Sequence, residues 1–317
     1  MKIPVFDLHC DTSFALLGKD FRQSGSLLDN KYHIDLNRAG SFPGYAQVFS
    51  CYTTTDCPEL SSISPTELFE REMISVLREV ESNSDLIELC YNGKQVKRNF
   101  ERHKMSAMLS IEGPAGFGFD PELLEDLYNV GFRMTTLCWN ESNPLTGSHL
   151  TGGGLTEQGR AYVREAQRLG MIVDVSHISD EAFWDIMDIT EAPIIASHSN
   201  SRAVHNHSRN ITDEMFLRIC DTGGVVGLNM YKVFVGASED IKAICDHTVH
   251  FLELDPSGTH IALGGDLDGC DALIDGLEGI QDYPKLADMM SVCGIQNTII
   301  ENIFWKNAVG VIETCCI

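Results

Sequence analysis

The stretch Val5-Phe6-Asp7-Leu8-His9-Cys10-Asp11-Thr12 carries an apolar strand pattern straight into a His-x-Asp pair. Alternate side chains of a strand project to the same face, so His9 and Asp11 are placed to grip one cation together. Cys10, between them, is expected to face the other side and pack as a small hydrophobe. Imidazole nitrogen with carboxylate oxygen is an ordinary donor set for zinc or a similar divalent metal, and an open catalytic site draws further ligands from elsewhere in the chain. Taken alone, the pair is equally a plain strand end, because His-x-Asp is common by chance.

Outward from this stretch, short β-rich runs alternate with helical patterns. The runs are Tyr45–Tyr52, Met105–Glu112, Gly131–Trp139, Gly170–His177, Ala192–His198, Gly223–Met230 and His260–Asp266. Helical patterns follow over Pro65–Glu81, Pro121–Val130, Thr156–Leu169, from Ser179, Ser238–Leu252, Pro284–Ser291 and Gln296–Lys306, several with acidic residues in the first turn. About eight strand-then-helix units predict an α/β fold, a (β/α)8 TIM barrel forming a single domain over residues 1–317, with a doubly wound open sheet as the alternative.

The polar residues that close these runs decide what the barrel does. His9 with Asp11, Glu112, His177, His198 and Asp266 all end apolar runs. In a parallel barrel every strand C-terminus opens on one face, so residues far apart in sequence converge there. Each alone has a plain explanation: Glu112 as a solvated turn, His177 as a cap, His198 as a hydrogen-bonded core histidine. Their equivalent placement argues for a shared metal site. The remaining histidines, among them His149, His205, His207, His247 and His260, lack that position and read as surface or supporting groups.

Composition narrows the class. The 317 residues are 43% hydrophobic with a formal net charge of −23, which allows a large core and repels nucleic acid. Part of that acidity is expected in a site that cations neutralise. No export signal and no 18-residue apolar stretch are present, so neither a membrane anchor nor secretion is expected, and the reading is a cytoplasmic protein with free thiols among its 11 cysteines.

The motifs Asp7-Leu-His-Cys-Asp-Thr12, Ser110-Ile-Glu-Gly-Pro114, Leu155-Thr-Glu-Gln-Gly159, Gly170-Met-Ile-Val-Asp-Val-Ser-His177, Ala196-Ser-His-Ser199, Arg209-Asn210 and Gly264-Gly-Asp-Leu-Asp-Gly269, in this order, resemble the membrane dipeptidase (renal dipeptidase) family of metal-dependent amidohydrolase-type barrels. The resemblance implies two Zn2+ ions, with other divalent metals also accepted by such donors. His9 and Asp11 would hold one, His177 and His198 the other, with Glu112 bridging. It implies Asp266 as the catalytic carboxyl that moves a proton to the leaving amine, Asp268 being its rival. Arg209 would bind the substrate carboxylate, with Arg202 as its rival, and Tyr231 would contact substrate. The chain departs from the pattern at Trp139, near where some relatives carry a substrate-polarising histidine; Asn140 or the metals would have to compensate.

The expected activity is hydrolysis of dipeptides, including those with a C-terminal D-residue. Paired cations lower the pKa of a shared water and polarise the peptide carbonyl. The alternatives are a binuclear metal hydrolase acting on an N-acyl amino acid or a phosphoester, and a metal-stabilised barrel that binds peptide without turnover. Family members are often homodimers, although no stripe in this sequence marks an interface.

Overall fold

The computed structural model describes residues 2–236 and 238–316; Met1 and Ile317, the ends of the expected domain, lie outside it. Among the described residues nine strands form one sheet: β1 Val5–Cys10, β2 Tyr45–Tyr52, β3 Ile87–Leu89, β4 Met105–Glu112, β5 Phe132–Thr136, β6 Ile172–Asp174, β7 Ile194–Ile195, β8 Val226–Leu228 and β9 Ile261–Leu263. The order is β7-β6-β5-β4-β2-β1-β9-β8, and all strand pairings are parallel. A parallel bridge between Ala196 and Val226 joins the two ends into an eight-stranded barrel. β3 lies outside this ring, paired to the first half of β4.

Phe6, Leu8, Ala46, Val48, Met108 and Met134 belong to one buried cluster that also takes in Val309 and Ile312 of the last helix, Asn307–Cys315. Strand alternation puts these side chains inside the barrel, and the last helix closes its floor. The sequence pattern ends this helix at Lys306; instead Asn297–Glu301 runs through a π-helical segment, Asn302–Lys306, into nine further residues. The outer helices begin where side chains satisfy the free N–H groups. Ser64 caps Pro65–Ser82, Thr156 caps Glu157–Leu169 and Ser179 caps Asp180–Met187. The helix expected from Ser238 starts at Ile241, because the Asp240 carboxylate accepts the N–H of Ala243. The segment 121–130 opens as a 3-10 turn and becomes α-helical at Leu124.

β1 contains an irregularity that matters for the site. Val5 pairs with Tyr45 but Cys10 with Phe49, so one extra residue lies between Asp7 and Cys10. Asp7 faces the helical layer, where it accepts from the hydroxyl of Tyr283. Simple alternation would send His9 the same way. The inserted residue turns it to the barrel mouth instead, a common use of a bulge beside a site, and Cys10 joins the buried layer outside the barrel.

Candidate metal centre

At the C-terminal mouth the structure brings His9, Asp11, Glu112, His177 and His198 together. Nε2 of His9 lies 3.4 Å from Oδ2 of Asp11 and 3.2 Å from Oε2 of Glu112. The other Glu112 oxygen, Oε1, is 3.1 Å from Nε2 of His177. Nε2 of His177 is in turn 2.9 Å from Nε2 of His198, whose ring stacks on His9 at 3.8 Å. Of these residues His9 and Glu112 lie within strands; His177 and His198 follow β6 and β7 by three residues, and Asp266 follows β9 by three. His177 (φ 72°) and Asp266 (φ 56°) have left-handed backbone, a conformation that costs non-glycine residues of order 1–3 kcal/mol and clusters at functional sites.

Both histidines of the second half are held through Nδ1. His198 Nδ1 lies 2.7 Å from Ser197 Oγ, which donates to the buried Asp174 carboxylate. His177 Nδ1 lies 3.0 Å from Oδ1 of Asn140. Assigning the proton to Nδ1 in each ring satisfies these contacts and leaves both Nε2 atoms as bare lone pairs. Two such lone pairs at 2.9 Å repel unless a cation shares them. Nε2 of His9 and Oδ1 of Asp11 are likewise buried without a hydrogen-bond partner among the described residues. A Cβ on Gly269 would come 2.0 Å from Asp11 Oδ2 and 2.7 Å from Asp266 Oδ1, so only glycine leaves these carboxylates room. The donor set fits divalent cations. Ligand atoms of His9, Asp11 and Asp266 lie within 4.8 Å of one another, as do those of His9, Glu112 and His198. Asp266 is therefore close enough to join the ligands as well as to act beside them.

The electrostatics follow from burial and crowding. Burial, then the neighbouring Glu112 charge, pushes Asp11 up to about 7. Burial also opposes ionisation of Glu112, but His9 and His177 outweigh it and hold that carboxyl well below its ordinary range. Burial and Arg209 push His177 down to about 4, in line with a neutral ligand. Burial raises Asp266, whose Oδ2 accepts from the Asn229 amide at 2.9 Å. Its rival Asp268 is engaged elsewhere, taking Thr12 Oγ1 at 2.6 Å and the His33 N–H at 2.7 Å.

Arg209 is 3% exposed, donates to Ser199 Oγ and to the His198 carbonyl, and keeps a buried Nε with no hydrogen-bond partner among the described residues. Arg202 is instead taken up by a two-pronged pair with Asp180 at 2.6 and 2.8 Å. Tyr231 and Trp139 line a cleft of about 550 Å³ above the centre. Three further residues emerge only in three dimensions. His149 and His207 line the cleft, and His149 Nε2 shares Asn140 Oδ1 at 2.9 Å. Asn229 positions Asp266. A histidine inside the glycine-rich loop after β5 was the available signal for His149, since such loops overhang the mouth of a barrel.

The membrane dipeptidase family, peptidase family M19, matches residues 1–315 of the chain. The chain belongs to this family. An uncharacterized dipeptidase of Schizosaccharomyces pombe is 36% identical over 231 residues, 71% of this chain, and the match spans 56% of that protein. A dipeptidase of Claviceps purpurea is 29% identical over 300 residues, 89% of this chain and 69% of that one. Among solved structures, a dipeptidase of family M19 superposes with a TM-score of 0.89 at 25% identity, covering 100% of this chain and 99% of the other. A Rhodobacter sphaeroides metallopeptidase, solved with a phosphinate mimic of L-Ala-D-Ala, shares the fold with a TM-score of 0.89 at 24% identity, covering 99% of this chain and 100% of that one. The family's metallopeptidase barrel is the fold observed here.

Proposed function

We propose that the protein is a metal-dependent dipeptidase with a two-cation centre, zinc by its donor chemistry. His9 and Asp11 serve one cation and His177 and His198 the other. The observation that carries this reading is Glu112, whose two oxygens face His9 and His177 at 3.2 and 3.1 Å, the posture of a bridging carboxylate. When bound, the cations supply Lewis acidity to the peptide carbonyl and an acidified water.

The chain's own groups do the rest. Asp266, oriented through Oδ2 by the Asn229 amide, would take the proton released by the attacking water and pass it to the leaving amine. Arg209 is assigned to the C-terminal carboxylate of the substrate, which a guanidinium can hold through parallel hydrogen bonds. Tyr231 and Trp139 bound a cleft of about 550 Å³, which has room for a dipeptide; a second-residue side chain directed toward solvent would permit a D-residue there.

The deciding experiment combines metal analysis with a panel of L-Ala-L-Ala, L-Ala-D-Ala, their amides, N-acetyl-alanine and a phosphotriester. Dipeptide turnover with two cations per chain is expected. Turnover of the acyl amino acid or phosphotriester alone would replace the reading with another binuclear hydrolase, and two bound cations without any turnover would leave a binding barrel.

A further inference from the structure

On the opposite, N-terminal end of the barrel, three metal-competent side chains meet outside the centre described above. Cys220 lies in the last turn of the helix Asp213–Asp221, Asp255 caps the C-terminus of the helix Ile241–Leu254, and His260 immediately precedes β9. One ligand atom from each lies within 4.8 Å of the others, and all three residues are half-buried. We propose that Cys220, Asp255 and His260 form an additional site for a borderline-soft divalent cation such as zinc, with an open position for water.

Three independent features support it. His260 Nδ1 lies 2.7 Å from the Gly224 carbonyl; as the donor there it fixes the tautomer and leaves Nε2 as a lone pair, the usual arrangement behind a metal-bound imidazole. The Asp255 carboxylate is oriented by Ser257, whose N–H and hydroxyl donate to its two oxygens at 3.1 and 2.8 Å. Two helix C-termini also converge on the spot, and their carbonyl ends favour a positive charge. Thiolate, imidazole and carboxylate together suit zinc and disfavour magnesium or calcium. Binding exchanges the thiol proton of Cys220 for the cation, and the proton leaves to solvent. The site ties two helices to the start of β9 on the face of the barrel that serves stability rather than chemistry.

Cobalt provides a test independent of catalysis. Among the groups of the catalytic centre none is a cysteine ligand, so a near-ultraviolet thiolate-to-cobalt charge-transfer band in the anaerobic, reduced, Co2+-saturated protein reports on the additional site. The band is expected at one equivalent per chain, lost in Cys220→Ser and His260→Gln, and retained in Cys270→Ser, which alters the cysteine lining the catalytic cleft. Circular dichroism confirms that each variant is folded, and dipeptide hydrolysis by Cys220→Ser is expected to match the parent. Zinc should raise the melting temperature of the parent by more than that of Cys220→Ser. Absence of the band at cobalt saturation, or its loss in Cys270→Ser but not in Cys220→Ser, would overturn the proposal.

Discussion

Oδ1 of Asn140 lies 3.0 Å from Nδ1 of His177, on the side of the ring away from Glu112. This contact selects the tautomer in which Nε2 is free, and His149 meets the same oxygen at 2.9 Å. Partners of this kind typically contribute 10–100-fold to metal affinity. Asn140→Ala is therefore expected to weaken cation binding by about 10–100-fold, read by competition with a chelating dye; unchanged affinity would show that His177 needs no such support.

Asp266→Asn separates two roles that proximity alone leaves joined. As a proton carrier, Asp266 should contribute about 10²–10⁴-fold to kcat with both cations still bound. As a ligand beside His9 and Asp11, its loss should instead lower the metal content per chain. Kinetics and metal analysis on one preparation distinguish the two.

Arg209→Ala should raise KM for dipeptides by about 10–100-fold, the usual worth of hydrogen bonds to a charged group, while hardly affecting a dipeptide amide that lacks the carboxylate. Equal losses on both substrates would mean that Arg209 serves the centre through its bond to the His198 carbonyl.

Gly264 packs against the backbone that carries His198: a Cβ there would stand 1.7 Å from the carbonyl oxygen of Ser197. Gly264→Ala is expected to destabilise the fold by about 3 kcal/mol, as overpacking against backbone does, and to lower metal affinity with it. Denaturant titration with and without zinc measures both effects.

His247 is buried between the Ser201 N–H and the Val235 carbonyl, at 3.2 and 2.8 Å. Burial pushes it from 6.5 down to about 4. The folded state therefore keeps the ring neutral where the unfolded chain would protonate it. Its contribution is full above pH 6.5 and is lost as pH falls to about 4, some 3 kcal/mol in all. His247→Gln should flatten the pH dependence of urea stability across that window; an unchanged slope would refute the assignment.

The strand-end residues were legible because a buried parallel strand leaves an apolar run, and a polar residue closing it stands out. Glu112 and His198 stand out on that signal, and the structure brings both to one mouth of the barrel. The bulge in β1 left no such mark: the spacing of His9 and Asp11 suggested a regular strand, whereas Asp11 already starts a helical turn. β3 leaves no mark in the sequence because Ile87-Glu88-Leu89 is too short to show a period. His149, His207 and Asn229 act from loops or strand ends whose course is set by tertiary contacts, so neither helical nor strand periodicity could place them.

The seam between β1 and β9 rests on one ladder pair, Asp7 with Leu263, and is reinforced by the Asp7 carboxylate, which accepts the Gly265 N–H, and by the Asp11 N–H on the Leu267 carbonyl. Residues some 250 positions apart must meet to make it, which is a slow, long-range step in folding. During synthesis the ring stays unsealed until the segment around residue 267 has left the ribosome. Because His9, Asp11 and Asp266 come together only as that seam forms, cation uptake in a refolding experiment would time the union of the chain's two halves.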